Sequence, residues 1–341
     1  MNEQADLPYV SVVILNYNGA KFAESCLRSV LATDYSNIEV IVVDNASTDG
    51  SCEFIRDLFS NMSRVKLIRN QRNLGYAGGS NIGFKHASGD VIAFLNVDTE
   101  VDKEWLRESV KALSSEKVGA VQSKLIKLQD RRTIDSAGWS FDRLGYAHWR
   151  YISPDGMSSN RPHELFYAEG VAMAIKKSVL SEVLIDGEPF DSDFFLYYED
   201  TDLSWRIRLR GHEIMLVPTS IVYHQRSFAL SEQQYHMTYY FTRNRISTLI
   251  KNYSLINLVR WIPLLLLLEL ARGVILLRNK PFKARAKLRG IIWNIKNIGR
   301  LWKKRSIVQS TIRKVPDAKI VALIQPPNFV TLYKSTQPII N

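Results

Sequence analysis

The sequence predicts an α/β protein with a mostly parallel sheet and flanking helices, followed by a helical, basic C-terminal region. Three observations carry this. Strand and helix patterns alternate in units of roughly 25–30 residues over the first ~100 residues, as a parallel sheet with crossover helices requires. Strands such as 91–95 (VIAFL) are continuous apolar runs, the mark of a strand covered on both faces. From 278 to 305 there are eleven Lys or Arg and no Asp or Glu, so charge separates the end of the chain from the rest. The 341 residues suffice for one large domain or two. The division expected is a sheet domain over 1–228 and a helical region over 229–341.

The elements follow in order. Residues 10–15 read as a strand, 20–32 as a helix, 38–43 as a second strand and 51–59 as a second helix. A short third strand covers 65–69, a third helix 78–86, a fourth strand 91–95 and a further helix 104–113. After Val118 the pattern is less regular. Residues 166–175 read as a strand running into a helix around 177–183. Residues 200–210 form a short helix stopped by Gly211, and 213–217 and 220–224 are short strands. There is no internal repeat or low-complexity segment.

Composition excludes several classes. A hydrophobic content of 46% argues against disorder. Cys26 and Cys52 lack a metal or redox spacing and are too few for a disulfide framework, which fits a reducing cytoplasm. No signal peptide is visible, since 1–8 are polar and 10–15 are too short and too β-branched. The net charge of +11 is accounted for by the eleven-cation segment. Such a segment suggests nucleic acid or an anionic membrane surface. Its aromatics are sparse (Trp293 and Trp302) and there is no nucleic-acid motif, so nucleic acid is set aside.

The preceding stretch, RWIPLLLLLELARGVILLR (260–278), is apolar but broken by Glu269 and Arg272. Its longest uncharged run, 261–268, has eight residues, whereas a spanning helix needs ~20. Pro263 falls near its start, where a helix tolerates it. With GIIWNIKNIGRLW (290–302) behind it, this reads as a basic amphipathic region lying in a membrane interface. The expectation is a peripheral protein on the cytoplasmic membrane face, against the alternative of a helical subdomain packed on the sheet domain.

A parallel sheet collects ligands at the carboxyl ends of its strands. The segments there are NYNG (16–19), DNASTDGS (44–51), NQRNLGYAGGSN (70–81) and NVDT (96–99). Asp44 can accept hydrogen bonds from an imide N–H or a ribose hydroxyl, with Ser47 and Asp49 available to cap the next helix. Gly75, Gly78 and Gly79 precede a helix and either offer N–H groups to an anion or simply turn the chain; neither GxGxxG after the first strand nor a P-loop is present. Asn96 and Asp98 lie on one side of an extended chain and suit Mg²⁺ or Mn²⁺; the alternative has Asp98 capping the helix near Glu104. Glu199, Asp200 and Asp202 cluster at a helix start, more acids than capping needs, and Asp200 is placed to be a general base. Asp202 pairs with Arg206 at i, i+4. His224 could complete the coordination of a cation held by Asp98.

In combination and order, these motifs resemble the family 2 glycosyltransferases, with the glycosyltransferase-A fold, and most nearly the rhamnosyltransferase-like members. The resemblance runs through VSVVILNYNG, VIVVDNASTDGS, NLGYAGGSNIG, FLNVDTEV, FFLYYEDTDLSWRIRLRG and VYH, over about residues 9–310. It implies an inverting, metal-dependent sugar transfer from a nucleoside-diphosphate donor (dTDP- or UDP-sugar) to a lipid-linked or cell-surface glycan. By the resemblance, Asn16 and Tyr17 flank the base and Asp44 hydrogen-bonds it. Asn45, Arg72, Gly78, Gly79, Asn96 and Asp98 belong to the same donor site. Asp98 and His224 hold Mg²⁺ or Mn²⁺, Asn96 standing where an Asp-x-Asp motif has its first acid. Asp200, with Glu199 beside it, is the base, and Gly170 lies on the acceptor side. The chain departs from the subgroup's GGFD, reading IDGEPFDSDFF before the base motif. A non-catalytic sugar-nucleotide-binding module and a nucleic-acid-binding protein are the other readings.

Overall fold

The structure, a computed structural model, describes residues 7–59, 61–149, 160–225 and 231–327. The chain forms two compact units, one of 1–139 with 150–227 and one of 140–149 with 228–341. The segment 140–149, expected in the sheet domain, therefore belongs with the helices. Tyr253 Oη donates to Arg143 O at 3.0 Å, and Tyr146 Oη donates to Glu269, which ties it there.

The first unit begins with four strands joined by three helices. β1 (Val10–Asn16), α1 (Ala23–Leu31), β2 (Ile38–Asp44), α2 (Ser51–Phe59), β3 (Val65–Arg69), α3 (Gly75–His86) and β4 (Val91–Asn96) follow one another, and the four strands pair in parallel. β5 (Thr99–Val101), α4 (Trp105–Leu113), β6 (Val118–Lys127) and β7 (Ile134–Ser136) come next. The chain then crosses to the second unit for two short strands, β8 (Trp139–Phe141) and β9 (Ala147–Trp149), which pair with each other and, Trp139 apart, lie in the 140–149 segment, before it returns to the first unit. β10 (His163–Glu164), β11 (Ala172–Lys176), α5 (Lys177–Ser181), α6 (Glu199–Arg210) and β12 (Glu213–His224) complete the unit.

The main sheet runs β10-β12-β6-β11-β4-β1-β2-β3, with β5 on β12 and β7 on β6. β11 lies antiparallel between β4 and β6, while β6 and β12 are parallel. In β4, Val91 to Leu95 are all buried, as the apolar run requires. Each large side chain so buried contributes about 1.5–3 kcal/mol.

Some boundaries move for identifiable reasons. α3 starts at Gly75, not at 78: Gly75 has φ +71° and its N–H donates to Asn73 Oδ1 at 2.8 Å. Gly78 and Gly79 are thus inside the helix and buried. A Cβ at Gly79 would lie 2.3 Å from Leu15 Cδ1, so this glycine lets α3 lie directly on the sheet. The strand expected over 166–175 shortens to β11. The two strands expected at 213–217 and 220–224 are one, β12, with a register shift between Val217 and Ile221 around Pro218, which has no N–H for the ladder. Cys26 and Cys52 are free and buried.

The second unit is helical: α7 (Ser231–Asn252), α8 (Leu255–Asn279), α9 (Pro281–Lys296) and α10 (Ile298–Ile307). Pro263 lies in the interior of α8 rather than at its start. Among the described residues no helix is long and apolar enough to cross a membrane. Glu269, which interrupts the apolar stretch in sequence, is fully buried, with Arg245 Nη2 at 2.7 Å and Lys287 Nζ at 2.5 Å. Its cationic neighbours hold its carboxyl far below the usual range against the opposing effect of burial. Arg305 Nη1 donates at 2.6 Å to both Ile250 O and Tyr253 O and so closes the end of α7.

Candidate active site

The loops after β1 and β2 are one hydrogen-bonded unit. Asn16 Nδ2 donates to Asp44 Oδ1 (2.8 Å), Ser47 Oγ (3.1 Å) and Ser51 Oγ (2.8 Å). Asp44 Oδ2 accepts from Ser47 N at 3.2 Å, so Asp44 takes part in the turn that sequence reasoning left to its neighbours. Asp49 accepts from Ala20 N and Ser51 N, linking the loops. Asn16 and Asp44 are fully buried, and Asn16 Oδ1 has no hydrogen-bond partner. Tyr17, between them in the chain, is 50% exposed and presents its ring outward.

Asn45 serves the third loop. It donates to Asn73 Oδ1 (2.8 Å) and Gly75 O (3.0 Å), and accepts from Asn70 Nδ2 and Leu74 N, both at 3.0 Å. Its capacity is spent on shaping the loop. Arg72, on the same loop, is exposed and has no ion-pair partner among the described residues. Two N–H groups of the first turn of α3 have acceptors within the chain, Gly75 N on Asn73 Oδ1 and Ala77 N on Phe195 O at 3.2 Å. Gly78 and Gly79, expected either to offer N–H groups to an anion or to turn the chain, lie inside the helix and pack it on Leu74 and Leu15.

Asp98 is not on an extended chain. Val97 and Asp98 form a turn between β4 and β5, closed by Thr99 Oγ1 donating to Asn96 O at 2.7 Å. Asp98 does not cap the helix near Glu104, whose N–H donates instead to Asp102 Oδ1. Register then delivers the histidine: β12 pairs antiparallel with β5, opposing His224 to Thr99, and Gln225 N donates to Asp98 O at 2.9 Å. His224 Nε2 consequently stands 3.6 Å from Asp98 Oδ2, while His224 Nδ1 is 2.8 Å from Asp135 Oδ2. Burial works against an imidazolium here, but the bond to Asp135 and the charge of Asp98 outweigh it and raise the His224 pKa to about 9.

Asp200 and Glu199 open α6. Asp200 Oδ2 accepts from Gly170 N at 3.0 Å, and Oδ1 from Thr201 N and Thr201 Oγ1. Burial raises the Asp200 pKa, and these donors moderate the rise. Glu199 is more enclosed, its Oε2 has no partner, and burial with the neighbouring Asp200 charge pushes its pKa well up. The two carboxyls thus differ: both are raised by burial, but at Asp200 the Gly170 and Thr201 donors counter the rise, whereas Glu199 is pushed further up by burial and the Asp200 charge. Gly170 is less an acceptor contact than a support. Its O accepts from Tyr76 Oη at 2.5 Å, and a Cβ there would meet that oxygen at 2.9 Å. Phe195, Tyr197 and Tyr198, just before the acids, all have φ between +61° and +70°. Strain of about 1–3 kcal/mol per residue is concentrated where function needs fixed geometry.

One link joins the two carboxylate centres. Gly170 N holds Asp200, and the next residue's carbonyl, Val171 O, accepts from Asn96 N at 3.0 Å.

Residues 11–184 match the sequence profile of the family described as glycosyl transferase family 2. The chain belongs to this family. A relative, glycosyltransferase AglE of Haloferax volcanii, is 28% identical over 186 residues, 54% of this chain and 56% of AglE. Poly-beta-1,6-N-acetyl-D-glucosamine synthase of Staphylococcus aureus is 27% identical over 63% of this chain and 50% of the synthase. The chain spans about half the length of these two curated relatives. Among solved structures, S. aureus TarS 1-349 in complex with UDP-GlcNAc has a TM-score of 0.57 at 15% identity, covering 97% of this chain and 93% of that one. The mannosyltransferase PcManGT of Pyrobaculum calidifontis, in complex with GDP-Man and Mn²⁺, has 0.54 at 19% identity, covering 88% and 89%. The likeness to these structures is one of fold, the glycosyltransferase-A fold with its mostly parallel sheet.

Fold neighbours that hold Mn²⁺ raise the question of whether these residues fit a cation. Two donors sharing a cation at about 2.1 Å in adjacent positions stand ~3 Å apart, near the 3.6 Å between Asp98 and His224. Asp135 fixes the imidazole by Nδ1 and turns Nε2 toward Asp98, the supporting arrangement of a metal-bound histidine. Among the described residues no group of three or more His, Cys, Asp or Glu is gathered for a metal. The residues therefore fit a cation that completes its coordination with oxygens from a ligand and water. Sequence reasoning missed Asp135. Its signal is faint, a short TIDS segment after the irregular region, and only the pairing of β7 with β6 brings it to His224.

Proposed function

We propose that this family 2 protein is an inverting, divalent-metal-dependent glycosyltransferase that moves a sugar from a nucleoside-diphosphate donor to a lipid-linked or cell-surface glycan. The observation that carries the reading is the Asn96–Val171–Gly170–Asp200 link, which couples the Asp98–His224 centre to the base within a few backbone atoms. The base of the donor lies against Tyr17, with Asp44 and the unpaired Asn16 Oδ1 as acceptors for its N–H edge. Arg72 is the cation of the third loop available to the donor, and Asn45 holds that loop in shape. Asp98 and His224 would hold Mg²⁺ or Mn²⁺, which neutralises charge on a departing diphosphate.

The chain's own chemistry lies at Asp200. Its carboxylate removes the proton from an acceptor hydroxyl, whose oxygen attacks the anomeric carbon on the face opposite the diphosphate. The bond from that carbon to the diphosphate oxygen breaks, its electron pair leaves with the diphosphate, and the configuration inverts. Glu199 beside Asp200 is buried, and burial together with the Asp200 charge disfavours its anion, which limits the negative charge next to the base.

Rhamnose from a dTDP donor is the specific reading favoured by the rhamnosyltransferase-like motifs. UDP-GlcNAc and GDP-Man, bound by the fold neighbours, are the comparisons to run beside it. We place the protein on the cytoplasmic membrane face. Eight of the eleven cations in 278–305 reach solvent there, and α8 exposes an apolar stripe. The test is a donor panel with Mg²⁺ or Mn²⁺, released nucleotide being measured by mass spectrometry. Metal-dependent release from one donor, lost in Asp200→Asn, supports transfer. Donor binding without release in any combination would show a non-catalytic binding module.

A further inference from the structure

The second unit contains a cavity of about 310 Å³ among α7, α8, α9 and Tyr146, outside the candidate active site. Five cations line it: Arg245 from α7, Arg272 from α8, Lys280 at the α8–α9 junction, and Lys283 and Lys287 from α9. Against them stands Glu269, which takes Arg245 at 2.7 Å, Arg272 at 3.5 Å and Lys287 at 2.5 Å. Lys280 and Lys283 have no carboxylate partner among the described residues. A fold does not gather five cations around one carboxylate without a cost, because like charges in a partly dry site repel.

That repulsion is visible in the protonation of the lysines. Burial lowers the Lys283 pKa, and the charge of Lys280 lowers it further. Lys287 is brought down to about 8 by burial, with Glu269 opposing and Arg245 and Arg272 adding to the fall. An anion in the cavity would relieve both. The size is at the low end for a ligand site, and a group with several charged oxygens matches the donors. The remaining lining mixes the apolar Met237, Phe241 and Leu276 with the polar Gln234, Thr238 and Thr242, which can add hydrogen bonds to a charged oxygen. Beside it α8 exposes Val274, Ile275 and Leu277, and α9 exposes Phe282. A cationic pocket with an apolar surround fits an amphiphile better than a free inorganic ion.

We propose that this cavity binds the phosphate or diphosphate group of an apolar-chain lipid, holding it through Arg245, Arg272, Lys280, Lys283 and Lys287 with the chain over the exposed apolar residues of α8 and α9. The inference deepens the lipid-linked part of the proposed acceptor and rests on that reading. It needs no turnover to be tested.

The probe is farnesyl monophosphate, titrated calorimetrically into the full-length protein, with farnesol and inorganic phosphate as separate arms. The variant is Lys280→Ala/Lys283→Ala, which leaves the buried Glu269 cluster intact and is checked by thermal melting. Farnesyl monophosphate should bind at least about tenfold more tightly than either control, and the double variant should weaken it by about tenfold or more, since each lost charge-assisted bond removes a comparable factor. Release of nucleotide from the donor, with water as acceptor, should be unchanged in the variant. Equal affinity of variant and parent overturns the site. Equal binding of inorganic phosphate overturns the lipid assignment and makes this a soluble-anion site. Absence of farnesyl monophosphate binding alongside normal donor turnover overturns the inference and leaves the transferase reading standing.

Discussion

At the scale of single residues, the proposed function rests on the contrast between carboxyls placed differently. Asp200 accepts from Gly170 N and Thr201, donors that favour its anion against burial, whereas the neighbouring Glu199 has a buried oxygen with no partner. Asp200→Asn should bind donor normally and lose ~10²–10⁴ in kcat; near-normal kcat beside unchanged donor affinity would move the base elsewhere. Because burial raises the Asp200 pKa and a base works deprotonated, kcat should fall as pH drops through a value above the ordinary carboxylate range. Thr201→Val removes a donor to the anion and should move that limb to higher pH. Glu199 contributes to stability with a definite sign. Its raised folded pKa means the native state binds more protons than the unfolded one, so stability falls as pH rises from the ordinary carboxylate value toward the raised one. Glu199→Gln should flatten that slope in urea midpoints measured across pH. Asp98→Ala should abolish the effect of Mn²⁺ on donor affinity, since His224 and the uncharged Asn96 cannot replace a carboxylate; metal-dependent affinity surviving in a calorimetric titration would remove Asp98 from the cation.

At the scale of elements, α3 shows how little of a glycine's meaning a motif conveys. GYAGGSNIG reads as an anion loop, yet a Cβ at Gly83 would sit 2.2 Å from Val13 Cγ1 in the core of β1. Gly83→Ala should cost ~1–3 kcal/mol through overpacking. Gly299, in α10, has nothing within 4 Å of its Cβ position, and Gly299→Ala should gain about 0.4–1 kcal/mol. Chemical denaturation of the pair checks both signs. The alternating strands and crossover helices up to α4 were legible because their apolar periodicity is local. β5, β6 and β7 were not, because they are defined by pairing: β6 is set between β11 and β12, and β5 exists only against β12. The same division holds at the site. Asp98, Asp200 and His224 end recognisable strands or begin a helix and could be picked out in sequence. Asp135 and the support given by Gly170 depend on long-range register, which periodicity does not encode. Glu269 misled in the opposite direction: a charge that seemed to interrupt an apolar helix is the buried centre of a three-cation cluster.

At the scale of the whole molecule, the question is what the basic second unit faces. Lys287, Lys304 and Arg305 are buried, and Arg305 is spent on α7, so eight of the eleven cations in 278–305 are left with surface to offer. Along α8, Ile256, Val259, Pro263, Leu267, Leu270, Val274 and Leu277 are exposed at steps of three and four, one stripe of a helix that no membrane crossing explains. Apolar stripe and cations together fit a helix lying in an anionic lipid surface. Each cation near such a surface contributes about 1 kcal/mol, screened as salt rises. Full-length protein should therefore sediment with phosphatidylserine-containing vesicles at low ionic strength and bind them more weakly, through the apolar stripe that remains, at high salt. Arg285→Glu/Arg300→Glu, both exposed, should weaken that binding by more than about tenfold. Leu267→Asn/Val274→Asn should weaken binding to the same vesicles even where salt has already screened the charges, because the apolar contribution is not electrostatic. Protein that stays in the supernatant with anionic vesicles at low salt would leave the stripe to a protein partner and the cations to solvent; equal binding to neutral vesicles would overturn the role of the cations alone.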